Sequence, residues 1–178
     1  MTSGTTSGKL ARMTFVLGGA RSGKSRLAEN LLTGEPGPWA YIATAQAHDD
    51  EMRERIRQHQ ARRQTGWTTI EAPIALPDAL TVAAAHAPAL VDCLTLWLTN
   101  LMLGGHDVAS ASDRLIEALA ARTAPCILVS NEVGLGIVPD NALARAFRDE
   151  AGRLNQRVAA EADSVLFVAA GLPMTLKG

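Results

Sequence analysis

The sequence predicts an α/β fold with a mostly parallel sheet covered by helices on both faces. Short apolar, β-prone runs recur at 13–17, 39–43, 67–71, 89–92, 125–129 and 164–169. Segments with helical signals separate them, which implies right-handed crossovers between parallel strands. The first strand leads into a helix through a glycine-rich loop of defined pattern.

That loop reads Gly18-Gly19-Ala20-Arg21-Ser22-Gly23-Lys24-Ser25 and matches G-x-x-x-x-G-K-[ST] at every fixed position. Gly18 and Gly23 let the backbone turn tightly, so that successive N–H groups point at phosphate oxygens. Lys24 supplies a point charge for the outer phosphates, and the Ser25 hydroxyl is placed to ligate Mg²⁺. The flanks agree: Met13–Leu17 reads as a strand, and Ser25–Leu32 as a helix with Leu27, Ala28, Leu31 and Leu32 on one side. The expected class is a P-loop NTPase, RecA-like in type. Kinases, transport ATPases, GTPases and assembly modules share this loop, so it defines a ligand class and leaves the reaction open.

The totals narrow the partners. At 178 residues and a formal net charge of -1, the chain suits one domain and gives no sign of nucleic acid or an anionic membrane as a partner. The longest apolar stretch, Ala89–Leu103, is interrupted by Asp92, Thr95, Thr99 and Asn100 and is too short to span a membrane. Met1–Arg12 is Ser/Thr/Gly-rich without a signal-peptide core and reads as a flexible extension. A soluble, cytoplasmic protein with one catalytic nucleotide-binding domain over 13–178 is expected. Cys93 and Cys126 lie far apart in apolar surroundings and read as buried free thiols. His48, His59, His86 and His106 show no zinc-like spacing.

Taken in order, Gly34–Pro38 breaks the chain and Trp39–Ala43 restarts it as a strand. The small-residue turn Ala43-Thr44-Ala45 then leaves the ligand edge of the sheet, near the loop after strand one. Asp49–Arg63 reads as a charged helix on which Met52, Ile56 and His59 share a stripe, with Arg55 and Arg62 flanking His59. A solvated helix and a histidine held where triphosphate oxygens arrive are both consistent with that pattern. Trp67–Glu71 is a short strand and Leu76–His86 a helical stretch. Ala89–Asp92 is an apolar strand ending in a carboxylate, the form that holds Mg²⁺ or its waters opposite a phosphate loop, or that caps the following helix at Cys93–Leu103.

Val108–Arg122 is amphipathic, and Pro125–Val129 is a buried-type strand. Asn131 and Glu132 leave that strand at the ligand edge, where they can serve a substrate or cap the loop. The Gly134-Leu135-Gly136 that follows opens no helix, so a dinucleotide fingerprint is not expected. A long helix over Asn141–Glu161 places Arg145, Arg148, Arg153 and Arg157 largely off its apolar stripe, the pattern of a solvated face. Ser164–Ala169 is the last expected strand and Gly171–Gly178 a tail.

With these pieces placed, the chain resembles the bifunctional adenosylcobinamide kinase / adenosylcobinamide-phosphate guanylyltransferase family of cobalamin biosynthesis. The resembling stretches are the loop at 18–25, Tyr-Ile-Ala-Thr-Ala at 41–45, and Asp-Asp-Glu-Met-Arg-Glu-Arg-Ile-Arg-Gln-His at 49–59. Val-Asp-Cys-Leu-Thr-Leu-Trp-Leu-Thr-Asn-Leu at 91–101, Ser-Asn-Glu-Val-Gly-Leu-Gly-Ile-Val-Pro at 130–139, Phe-Arg-Asp at 147–149 and Leu-Asn-Gln at 154–156 continue it.

The resemblance implies phosphorylation of a hydroxyl on the corrinoid's aminopropanol arm, then transfer of GMP from GTP to that phosphate. It implies a guanylylated histidine at His59, with Lys24, Arg62 and Arg63 offsetting charge. It also implies nucleotide contacts at Ala43, Thr44, Ala45, Gln60, Ala61, Arg62, Arg63 and Glu71, an acidic role for Asp92 beside Ser25, Mg²⁺ with GTP or ATP, and a homo-oligomer, often a trimer. Kinase chemistry uses the γ-phosphate and guanylylation the α-phosphate, so movement of the His59 helix or two nucleotide placements is expected. The competing readings are a simple small-molecule kinase and a nucleotide-gated RecA-like module.

Overall fold

The computed structural model describes residues 10–46 and 65–178. The helix expected at 49–63, with His59, Gln60, Ala61, Arg62 and Arg63, lies outside the described residues, as does most of the N-terminal extension. The chain runs β1 (Met13–Gly18), α1 (Lys24–Leu32), β2 (Trp39–Ala43), β3 (Trp67–Glu71) and a short helix α2 (Leu76–Asp78) that continues as a π-helical turn over Ala79–Ala83. It goes on through β4 (Ala89–Asp92), α3 (Leu94–Leu103), α4 (Val108–Ala121), β5 (Cys126–Asn131), α5 (Ala142–Glu161), β6 (Ser164–Ala169) and β7 (Leu172–Lys177).

The seven strands form one sheet in the order β3-β2-β4-β5-β1-β6-β7. Every pairing is parallel except β6 with β7. Alternation along the strands divides the core between two faces. Val16, Tyr41, Leu90, Ile127, Val129 and Val168 pack with Ala28 and Leu32 of α1 on one face. Phe15, Ile42, Val91 and Leu128 pack with α2, α3, α4 and α5 residues such as Leu76, Trp97, Leu115 and Leu154 on the other.

Three expectations are corrected. Gly171–Gly178 is not a tail: Leu172–Lys177 forms β7, antiparallel to β6, and all six of its residues are exposed. The strand exists because β6 offers an open edge, and the two-residue connection of Ala170 (φ 50°) and Gly171 (φ 81°) supplies the positive φ values that a tight hairpin needs.

The helix expected over Leu76–His86 ends at Ala83. The buried Arg122 guanidinium donates to the carbonyls of Leu80 and Ala84 (both 2.8 Å) and Ala87 (2.7 Å), so acceptors at and beyond the helix end are satisfied without another helical turn.

The turn after β2 does not adjoin the loop after β1, because β4 and β5 stand between those strands. What joins them is a set of side chains reaching across from β2 and β4.

Candidate active site

The phosphate loop follows from its neighbours on both sides. The Glu132 amide donates to the Gly18 carbonyl at 3.1 Å, and the Gly171 amide donates to the Ser22 carbonyl at 2.8 Å. The loop is thus held between the end of β5 and the β6–β7 hairpin. Gly23 has φ 99° and is the N-cap of α1, a left-handed position that favours glycine. Arg21 also has positive φ, 55°. Gly19, Ala20 and Arg21 are exposed, and Ser22 is half-buried.

Lys24 opens α1 and is only 7% exposed, and its ammonium donates to the Gly19 carbonyl at 2.6 Å. Burial lowers its pKa below the ordinary lysine value, while the nearby Cys93 and Asp92 oppose that shift. Removing a cation from water weakens its solvation and strengthens its pull on an incoming anion. Ser25, one residue later, donates from Oγ to Asp92 Oδ1 at 3.3 Å. The Tyr41 hydroxyl donates to Asp92 Oδ2 at 2.7 Å. Asp92 therefore joins β2, β4 and the start of α1, and it sits on the α1 face beside Leu90 by strand alternation.

A resident Mg²⁺ suits this donor set. Ser25 and Asp92 offer hard oxygen donors on one side of the loop, and Mg²⁺ characteristically takes one or two protein oxygens and completes its shell with waters and phosphate oxygens. Among the described residues there is no group of three or more His, Cys, Asp or Glu that could hold a metal without such help.

The other expected positions fall along the same edge of the sheet. Ala43 is paired in register with Asp92 on one side and with Glu71 on the other, so the three ends form a row. Glu71 is exposed, and Ala43 and Ala45 are half-buried. Thr44 is completely buried, its hydroxyl accepting from the Cys93 amide and donating to the Cys93 carbonyl at 2.8 Å each. Its side chain is committed to the joint between β2 and β4, which leaves Ala43 and Ala45 to present the surface of that turn.

Asn131 donates to Thr95 Oγ1 at 2.9 Å and so braces the start of α3. Glu132 accepts from the Gly134 amide, capping its own loop. Each arginine of α5 has a partner: Arg145 the carbonyls of Pro139 and Asp140, Arg148 Asp149, Arg153 Glu150, and Arg157 Asp113. Cys93 and Cys126 are buried free thiols. Tyr41 and Gly171 were not singled out from sequence. Tyr41 reads there as one more apolar strand residue, and a hydroxyl reaching across to the neighbouring strand leaves no trace in local pattern.

The family model described as cobinamide kinase / cobinamide phosphate guanyltransferase matches residues 14–176. The chain belongs to this family. It is 52% identical over 167 residues to the bifunctional adenosylcobalamin biosynthesis protein CobP of Pseudomonas aeruginosa, covering 92% of this chain and 96% of that one. It is 45% identical over 181 residues to the bifunctional adenosylcobalamin biosynthesis protein CobU of Salmonella typhimurium, covering 93% of this chain and 99% of that one.

Among solved structures, a prototypical ATPase from the type III secretion system of pathogenic bacteria aligns with TM-score 0.57 at 12% identity, over 93% of this chain and 57% of that one. The assembled ATPase EscN of enteropathogenic E. coli aligns with TM-score 0.55 at 10% identity, over 90% of this chain and 43% of that one. At such identities these likenesses show the fold alone, an α/β P-loop fold of RecA-like type. No helix among the described residues is long and apolar enough to cross a membrane.

Proposed function

We propose that this chain phosphorylates the aminopropanol hydroxyl of adenosylcobinamide and then transfers GMP from GTP to the new phosphate through a guanylylated His59, in the cytoplasm. The observation that carries the reading is the Lys24–Ser25–Asp92 constellation beside the phosphate loop, in a chain that matches its family over residues 14–176.

In the kinase step the corrinoid hydroxyl oxygen attacks the γ-phosphorus, its bond to the β–γ bridging oxygen breaks, and the hydroxyl proton is released. Lys24 exchanges the Gly19 carbonyl for a phosphate oxygen and stabilises charge that develops there. Backbone N–H groups of Gly19–Lys24 orient the phosphates. Ser25 and Asp92 would hold Mg²⁺ or its waters, whose role when bound is to neutralise phosphate charge.

In the second reaction a neutral His59 nitrogen attacks the α-phosphorus and pyrophosphate leaves. Arg62 and Arg63 offset the charge of the leaving group. A phosphate oxygen of the corrinoid product then attacks the same phosphorus, and the N–P bond breaks to return free histidine. Ala43, Ala45, Gln60, Ala61 and Glu71 would line the nucleotide. Because the two reactions use phosphorus atoms at opposite ends of one triphosphate, the His59 segment or the nucleotide must shift between them.

Incubation with GTP labelled at the α-phosphate tests the covalent route. An acid-labile, base-stable protein label is expected, and His59→Ala should abolish it while sparing part of the kinase activity. The absence of label in the wild-type protein, with kinase activity present, would leave only a simple P-loop kinase.

The chain is further proposed to act as a homo-oligomer, with the trimer that the family resemblance implies as its form. Supporting this are Leu172, Met174 and Leu176 on β7, together with Leu135, Ile137 and Val138 after β5, all large apolar side chains left exposed in a single copy. Sedimentation equilibrium giving a monomer mass would refute it.

A further inference from the structure

We infer that Tyr41 is a positioning residue for the cation site, holding one oxygen of Asp92 so that the other stays turned toward Ser25. The inference rests on the proposed role of Ser25 and Asp92 in holding Mg²⁺ or its waters, and it goes beyond that reading by assigning what orients the carboxylate.

The geometry divides the two carboxylate oxygens. Oδ2 accepts from the Tyr41 hydroxyl at 2.7 Å, and Oδ1 accepts from Ser25 Oγ at the longer 3.3 Å. Asp92 is the last residue of β4, its backbone fixed by register with Ala43 and Val129, so the orientation of its carboxylate is set by side-chain contacts. The Tyr41 hydrogen bond opposes rotation of the carboxylate when Ser25 offers its oxygen to a cation. A hydrogen bond from a neutral hydroxyl to a carboxylate is charge-assisted and short, so it resists that rotation better than the Ser25 contact does.

Tyr41 is itself held on both sides. Only 5% of it is exposed, it lies in β2 directly beside β4, and its ring meets Trp67 of β3 edge-on, with centroids 6.1 Å apart at 76°. Trp67 in turn packs against Trp39 at 5.6 Å. The hydroxyl is therefore delivered by a rigid aromatic group rather than by a side chain free to rotate. Lys24 already has its own anchor in the Gly19 carbonyl. The loop thus carries a preset lysine on one side and a preset carboxylate on the other, and Tyr41 sets the second.

The test is the binding of Mn²⁺, followed by its electron paramagnetic resonance signal, to the full chain saturated with the β,γ-imido analogue of GTP. Tyr41→Phe keeps the ring and removes the hydroxyl. It is expected to weaken Mn²⁺ binding about tenfold, the loss of one hydrogen bond to a charged group. Affinity for the analogue without metal should stay at the wild-type level. In the kinase assay the Mg²⁺ concentration for half-maximal rate should rise by a similar factor, with the rate recovered at saturating Mg²⁺. Trp67→Leu, which removes the edge-on ring that steadies Tyr41 and keeps the hydroxyl, should weaken Mn²⁺ binding, but by less than Tyr41→Phe does.

Unchanged Mn²⁺ binding in Tyr41→Phe would overturn the inference, as would an equal loss in Trp67→Leu. Asp92→Ala separates the two levels. If it weakens Mn²⁺ binding while Tyr41→Phe does not, only the role of Tyr41 falls. If it too has no effect, the proposed cation site itself is wrong.

Discussion

The Gly171 amide donates to the Ser22 carbonyl at 2.8 Å, so the tip of the β6–β7 hairpin is fastened to the phosphate loop. The two backbones also pass close by, because a Cβ built on Gly23 would lie 3.3 Å from Gly171 Cα. An edge strand with no buried side chain is therefore tied to the loop that receives the nucleotide.

Opposite substitutions at this tip should have opposite signs. Gly171 has φ 81°, where a β-branched side chain is strained, so Gly171→Val should cost about 1–2 kcal/mol and weaken nucleotide binding. Ala170 has φ 50°, and Ala170→Gly relieves a similar strain at an entropic cost of about 0.5–1 kcal/mol. It should therefore be neutral to mildly stabilising. Thermal melts with titration of a fluorescent nucleotide measure both.

Two loop glycines should differ sharply in the ligand-free protein. A Cβ on Gly18 would sit 2.4 Å from the Val168 carbonyl oxygen and 2.8 Å from Ser22 Oγ, and the first of these belongs to the backbone of β6. Gly18→Ala should lower stability by about 2 kcal/mol or more through forced strand displacement. A Cβ on Gly19 would meet nothing within 4 Å, so Gly19→Ala should melt close to wild type. Denaturant unfolding of the two variants decides this.

Arg122 is 5% exposed and donates to three main-chain carbonyls between Leu80 and Ala87. Arg122→Met fills much of the volume but takes the guanidinium from all three carbonyls, of which Ala84 keeps the Ala87 amide, and a buried acceptor left unsatisfied costs about 1–3 kcal/mol. A loss of at least about 2 kcal/mol is expected by urea unfolding.

The Cys126 thiol is fully enclosed at the start of β5, and burial pushes its pKa up to about 11 from 9.0. A thiol raised in the folded state favours folding relative to its ionised form, so this contribution is intact below about pH 9 and is lost as pH rises toward 11. Two pKa units correspond to on the order of 2–3 kcal/mol. Wild type should therefore lose more stability between pH 8 and pH 11 than Cys126→Ala does, as measured by denaturant midpoints across that range.

The glycine loop, the strand before it, the helix after it and the linked motifs were all legible in the residues, because turn chemistry and apolar periodicity are local properties of a chain. They sufficed to predict the α/β class and the family. The strand at Leu172–Lys177 was missed although its apolar residues alternate, because nothing in one copy buries that face and only the open edge of β6 makes it a strand. The early end of the helix after Leu76 was missed for a related reason, since Arg122 lies about 40 residues away and satisfies the carbonyls at its end through space. At the candidate site, Lys24 and Ser25 were legible from the loop pattern, while pattern left Asp92 as either a cation-holding or a helix-capping carboxylate. That Thr44 closes the joint with Cys93, and that Tyr41 and Ser25 divide the two oxygens of Asp92, depends on which strands become neighbours. Strand order is decided by how the whole sheet packs, and no local stretch of sequence carries it.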